Sequence, residues 1–207
     1  MLAGICSNLG AVGVLSDYRL APDHPDPAAI DDCLESYQAL LGNKGVPPSH
    51  IALLGDSAGG GLVLSILAKI RDAKLPMPTT ASLFSPSGDW ILSGPSLYEN
   101  EDRGPMFRLS SFLFFRSLYL AGHDHSDPEV SPLLALFETY PPIYFTASST
   151  ELLRDVAVVG AAKAREAGVP VEIDIWPGHC HDMQLIAVLP ESEIALNKLC
   201  EFITNHW

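Results

Sequence analysis

Gly55-Asp56-Ser57-Ala58-Gly59 is the stretch of this chain richest in possible chemistry. A serine with a glycine two residues away on either side forms a nucleophile elbow where a strand turns sharply into a helix. The flanks fit that context. Ile51 to Leu54 is a short apolar run, and Leu62 to Ile70 is apolar at helical spacing. In such a turn the serine holds a strained backbone angle that lifts its hydroxyl clear of the sheet. Gly55 and Gly59 are expected to keep the surrounding space open, so that strand and helix can approach closely. Gly60 continues the small-residue run. The helix that follows points its positive end, and the amide of Ala58, at the place where an oxyanion would form.

A serine nucleophile needs a base, and the base needs an acid to orient it. On an elbow fold these follow later strands, in the order serine, acid, histidine. The apolar run 143–147 is followed by Glu151-Leu152-Leu153-Arg154-Asp155. The alternating run 171–175 is followed by Gly178-His179-Cys180-His181. Types and order are therefore right. On spacing alone, Glu151 and Asp155 both stand as the acid. Glu151 is nearer the strand end, and Asp155 also reads as a helix-start charge. His179 and His181 both stand as the base. The His-x-His pair has no supporting third metal ligand, so no metal is expected. His123-Asp124-His125 reads as solvated loop.

These residues must be positioned by alternating strands and helices. Five strands are expected, at 11–16, 51–55, 80–84, 143–147 and 171–175, the last alternating as an edge strand does. Helices are expected at 28–41, 62–70, 112–121, 152–167 and 192–202, with residues 1–9 closing another. Strand–helix alternation means an α/β fold, a mostly parallel sheet with helices on both faces. Residues 86–107 are rich in Gly, Pro, Ser and Asp and read as loop, and the whole 86–130 insertion interrupts that rhythm, as a lid or substrate wall would. Otherwise 1–207 reads as a single domain. The aromatic residues Trp90, Phe107, Phe112, Phe114, Phe115 and Tyr119 suit either an acyl pocket or simple packing.

The 207 residues suffice for one substantial core. Hydrophobic residues make up 47% and charged residues 18%, which excludes a disordered chain. A net charge of −13 argues against nucleic acid or an anionic membrane as partner. No apolar run is long enough to span a membrane. The N-terminus lacks the basic region of a signal peptide. Cys6, Cys33, Cys180 and Cys200 show no paired spacing and read as reduced thiols. A cytoplasmic protein is expected.

Several motifs together resemble the hormone-sensitive-lipase family of α/β-hydrolases, over almost the whole chain. Asp17-Tyr18-Arg19-Leu20-Ala21-Pro22-Asp23-His24-Pro25 is similar to that family's D-Y-R-L-A-P-E-H-P. Gly55-Asp56-Ser57-Ala58-Gly59-Gly60 matches its G-D-S-A-G-G elbow. Ser85-Pro86 with Asp89 resembles its S-P-W-x-D segment. Glu151 to Asp155 aligns with D-P-L-R-D, whose first acid is catalytic, so the resemblance implies Glu151. Gly178-His179-Cys180-His181 resembles G-x-x-H, which implies His181 as the base. The family consists mainly of cofactor-free carboxylesterases acting on short-chain, small-molecule esters. It also implies a homodimer through the last strand, here Val171 to Ile175.

One departure bears on activity. The family's H-G-G-G, whose amides supply most of the oxyanion hole, lies upstream of D-Y-R-L-A-P and is not in this sequence. The expectation is a shortened family member lacking the first strands of the sheet, with the Ala58 amide as its recognisable oxyanion donor. Loss of one such donor costs about 100- to 1,000-fold in rate. Serine ester hydrolysis by Ser57, His181 and Glu151 is the expected function. The alternatives are a catalytically impaired remnant and another acyl transfer, on lactones or amides.

Overall fold

The computed structural model describes residues 1–207. Its centre is a four-stranded, wholly parallel sheet: β1 (Ala52–Asp56), β2 (Thr80–Phe84), β3 (Ile143–Ser148) and β4 (Val171–Trp176), side by side in that order. The seven α-helices are α1 (Leu2–Leu9), α2 (Ala28–Leu41), α3 (Ala58–Asp72), α4 (Ser96–Glu99), α5 (Leu109–Leu120), α6 (Arg154–Glu166) and α7 (Pro190–His206).

Strand order and handedness decide where the helices go. The strands step across the sheet in one direction, and parallel crossovers are right-handed. The crossover helices α3 and α6 must then share one face. They do: Leu64 and Leu67 of α3 and Val156 and Ala161 of α6 join Ala81, Leu83, Ile143 and Phe145 in the largest core cluster. The opposite face needs cover from outside the crossovers. Ile5 of α1 and Leu199, Phe202 and Ile203 of α7 pack there on Phe84 and Tyr144. Every residue of β2 and β3 is buried, as expected for strands covered on both faces. Burying one such large apolar side chain contributes about 1.5–3 kcal/mol.

The helix ends follow local rules. α1 stops at Gly10, which is left-handed (φ 62°). α7 starts with Pro190 and carries Glu191 and Glu193 in its first turn, where the helix dipole favours negative charge. Lys69 and Arg71 end α3, and Lys163 and Arg165 end α6.

One expected strand does not form. Residues 11–16 are extended but unpaired, and their one backbone–backbone hydrogen bond runs from Ala11 N–H to Cys6 O, 3.0 Å. Val12, Val14 and Leu15 are exposed. An apolar run becomes a strand only where a neighbour offers a free ladder, and this run does not reach β1. The sheet therefore has four strands, with β1 as one edge and β4 as the other. A second difference lies in 86–107, where the Pro95-Ser96 step starts the short helix α4 inside an expected loop.

Residues 86–130 are not a detached flap. Leu92, Leu97 and Phe112 belong to the largest core cluster. The Asn100 amide donates to the carbonyls of Ser149 (3.1 Å) and Glu151 (2.9 Å). The four cysteines are unpaired. No helix is long and apolar enough to cross a membrane.

Candidate active site

Strand register puts the ends of β1, β2 and β3 at one edge of the sheet. Asp56 lies beside Phe84, Phe84 beside Thr146, and Ser148 beside Trp176. The loops leaving that carboxyl edge are where open α/β sheets bind ligands. Ser57, Ser85, Glu151 and His181 all lie on them.

Ser57 occupies the turn between β1 and α3 with φ 51° and ψ −115°. Positive φ is uncommon for a residue with a Cβ, and here it marks local strain at the elbow. The loop after β2 holds the turn: Ser57 N–H donates to Phe84 O (2.8 Å), and Ser87 N–H donates to Ser57 O (2.9 Å). The glycines show why the motif is needed. A Cβ on Gly55 would stand 2.2 Å from the Gly59 carbonyl oxygen. One on Gly60 would meet Pro86 at 2.8 Å, and one on Gly61 would meet Ser87 Oγ at 2.6 Å. Gly59 differs from expectation, because its nearest neighbour would be Asp56 Oδ1 at 3.9 Å. The crowding that demands glycine falls on 55, 60 and 61, where strand, helix and the 85–87 loop meet.

Three side chains then line up. Ser57 Oγ is 2.9 Å from His181 Nε2. His181 Nδ1 is 2.5 Å from Glu151 Oε2. The other oxygen, Glu151 Oε1, accepts from Ser148 N–H (2.7 Å) and Ser85 Oγ (2.9 Å). Glu151 and His181 are buried, while Ser57 is half-exposed to the outside. The Ala58 N–H is at the first position of α3, where a helix has no internal acceptor for it.

The other candidates lie elsewhere in the hydrogen-bond network. Asp155 accepts from Ser96 N–H (2.7 Å) and Arg154 Nε (2.8 Å), fastening α4 to α6. The His179 carbonyl accepts from the hydroxyls of Ser148 and Thr150, and its ring stands edge-on to Trp176. His123 Nδ1 is 2.8 Å from buried Asp26, so that loop is anchored at one end.

Burial alone pulls the His181 pKa down. Hydrogen bonds and charge from Asp182 and Glu151 outweigh it and lift it to about 9. Asp182, missed in the sequence, is also buried, which pushes its carboxyl up. Ser85 was named in the sequence only as part of a motif, with no role assigned to it. The signal for both was adjacency: an acid directly after His181, and a serine directly after β2.

Beside the array lies a small apolar recess lined by Met106, Phe107, Phe112, Leu152 and Leu153, with Glu151 and His181 at its wall. Phe107 stands edge-on to the His181 ring at 5.2 Å. Trp90 and Tyr119 pack on each other, 5.3 Å apart. Phe114 is exposed.

A parallel sheet with a strained serine at a strand–helix elbow and a histidine–acid pair on neighbouring loops defines an α/β-hydrolase. The model of an alpha/beta hydrolase fold family matches residues 1–185. The chain belongs to that family, in the hormone-sensitive-lipase group its motifs resemble. It is similar to an acetyl-hydrolase of Streptomyces hygroscopicus, 34% identical over 94% of this chain and 65% of that protein. It is also similar to an esterase of Acinetobacter venetianus, 34% identical over 91% of this chain and 63% of that protein. Among solved structures, EstE5 soaked with p-nitrophenyl butyrate superposes with a TM-score of 0.95 at 35% identity, covering 100% of this chain and 69% of that one. An esterase from the bacterial hormone-sensitive lipase family superposes at 0.93 and 34% identity, covering 98% and 68%. The chain thus spans 63–65% of the length of these curated relatives.

Proposed function

We propose that this protein hydrolyses carboxylic esters of small molecules through Ser57, His181 and Glu151. The observation that carries the reading is the unbroken relay from Ser57 Oγ through both ring nitrogens of His181 to Glu151. Ser57 Oγ attacks the ester carbonyl while His181 Nε2 takes its proton. The Ala58 amide, with that of Gly59 or Gly60, faces the oxyanion. His181 returns the proton to the leaving alcohol, and a water repeats the attack to free the acid. Glu151 holds the Nδ1–H tautomer and offsets the charge on the imidazolium. The chemistry calls for no cofactor. The recess at Phe107 and Phe112 is the place for a short acyl group. The free edge of β4 is the surface through which two copies would pair.

The test is covalent capture. A fluorophosphonate should add to Ser57, found by peptide mass spectrometry, and should fail to add to His181→Ala. Labelling that is absent, or unaffected by that substitution, would contradict the reading. A panel of esters, lactones and amides then separates ester hydrolysis from other acyl transfer.

A further inference from the structure

Asp182 follows His181, and its Oδ2 lies 3.0 Å from His181 Nε2. The same nitrogen is 2.9 Å from Ser57 Oγ. Two oxygens converge on the one nitrogen that must take the serine proton. Asp182 is 7% exposed, and its second oxygen, Oδ1, is buried with no hydrogen-bond partner. His181 is the one cation-forming group paired with it. A carboxylate so far out of water needs a positive partner or a proton.

The arrangement is held by the backbone. Asp182 sits in the left-handed region (φ 51°, ψ 42°), which aspartate tolerates better than most residues. Its N–H donates to Ser85 Oγ (3.2 Å), and Ser85 in turn donates to Glu151. One serine therefore braces the Glu151 carboxylate and the backbone of Asp182.

We propose that Asp182 is a positioning residue of this site, which keeps a proton on His181 Nε2 in competition with the Ser57 hydroxyl. The proposal rests on the reading of Ser57 and His181 as nucleophile and base. With the ring doubly protonated, Nδ1–H points to Glu151 and Nε2–H to Asp182, and no lone pair is left for the serine. The ring is freed when Nε2–H loses its proton, either to a buffer base or to Asp182 Oδ2. The second route turns imidazolium and carboxylate into imidazole and carboxylic acid, with no other bond changed. The charged groups around the ring are Glu151 from the loop after β3 and Asp182 beside it. Asp56 at the end of β1 adds its charge to that of Asp182. Phe107 covers the ring from the 86–130 segment. With two carboxylates and no fixed cation on the ring, the proton is held to unusually high pH.

The test is an NMR titration of the His181 ring nitrogens in the wild-type chain and in Asp182→Asn, assigned by their loss in His181→Gln. An opposite charge at this range moves a pKa by about one to three units. The midpoint should fall by at least about one unit in Asp182→Asn, and an unchanged midpoint would overturn the proposal. Asp182→Ser carries the same comparison should the asparagine variant misfold. The alkaline rise of kcat/KM should move to lower pH with the midpoint, making Asp182→Asn about tenfold faster at pH 7. A rise that stays in place while the midpoint moves would also overturn it. Hydrolysis missing from both proteins while the midpoint shifts would count against the esterase reading and leave the Asp182–His181 relation standing.

Discussion

Glu151 uses its two oxygens for different tasks: Oε2 faces His181 at 2.5 Å, and Oε1 is tied down by Ser85 and the Ser148 amide. Asp155, only four residues on, fastens α4 instead. The two acids should therefore separate cleanly. Glu151→Gln should cut kcat by about 10⁴ through loss of the correct tautomer. Asp155→Ala should leave kcat within a few-fold and cost about 1–3 kcal/mol of stability, measured in urea, as Ser96 N–H loses its acceptor.

Ser85 bridges Glu151 and the Asp182 backbone. Ser85→Ala leaves two buried groups short of a partner. It should destabilise by about 1–3 kcal/mol. It should also lower kcat more than it raises KM, because the acid loses its brace while the recess is unchanged. Steady-state kinetics would show the split, and a pure KM effect would contradict it.

The elbow glycines give a steric contrast. Gly55→Ala drives a methyl to 2.2 Å from backbone, with no flexible side chain to yield. It should cost more than the ~1–3 kcal/mol of ordinary overpacking and leave little folded protein. Gly59→Ala meets only Asp56 Oδ1, at an ordinary contact distance of 3.9 Å, and should fold with a near-normal melting temperature. Thermal melts of the two variants check this, and equal losses would contradict it.

The sequence and the structure agree where a pattern was long and its partners were local. Residues 28–41 and the strand–helix pair around Ser57 formed as spacing required. The run 11–16 failed because apolar content cannot report whether a neighbouring strand is within reach. Helix α4 was hidden by Pro and Ser composition, although Asp155 from a distant element caps its start. Gly59 stood in the motif, yet the close approach falls on Gly60 and Gly61, which depends on how the 85–87 loop packs. Asp182 stood directly after His181 in the sequence, but adjacency alone does not tell whether a side chain turns toward its neighbour. In the structure Asp182 is left-handed and its Oδ2 lies 3.0 Å from His181 Nε2.

The raised pKa of His181 has a stability consequence with a definite sign. Its ordinary value is 6.5 and its folded value about 9, with burial opposing and Asp182 and Glu151 prevailing. The imidazolium therefore stabilises the fold fully below pH 6.5, and that contribution fades as pH rises through about 9. Urea unfolding from pH 6 to 10 should show a steeper alkaline loss in the wild type than in His181→Gln. Parallel curves would contradict the ion pairing.

The proposed ester hydrolysis has Ser57 as its nucleophile. Its most direct test is hydrolysis of p-nitrophenyl butyrate by the wild-type protein beside Ser57→Ala, at equal folded concentration. Turnover should fall by at least about 10³ in the variant, to the background left by binding and the remaining oxyanion donors. Equal rates in the two proteins, or no turnover from a folded wild type, would contradict it.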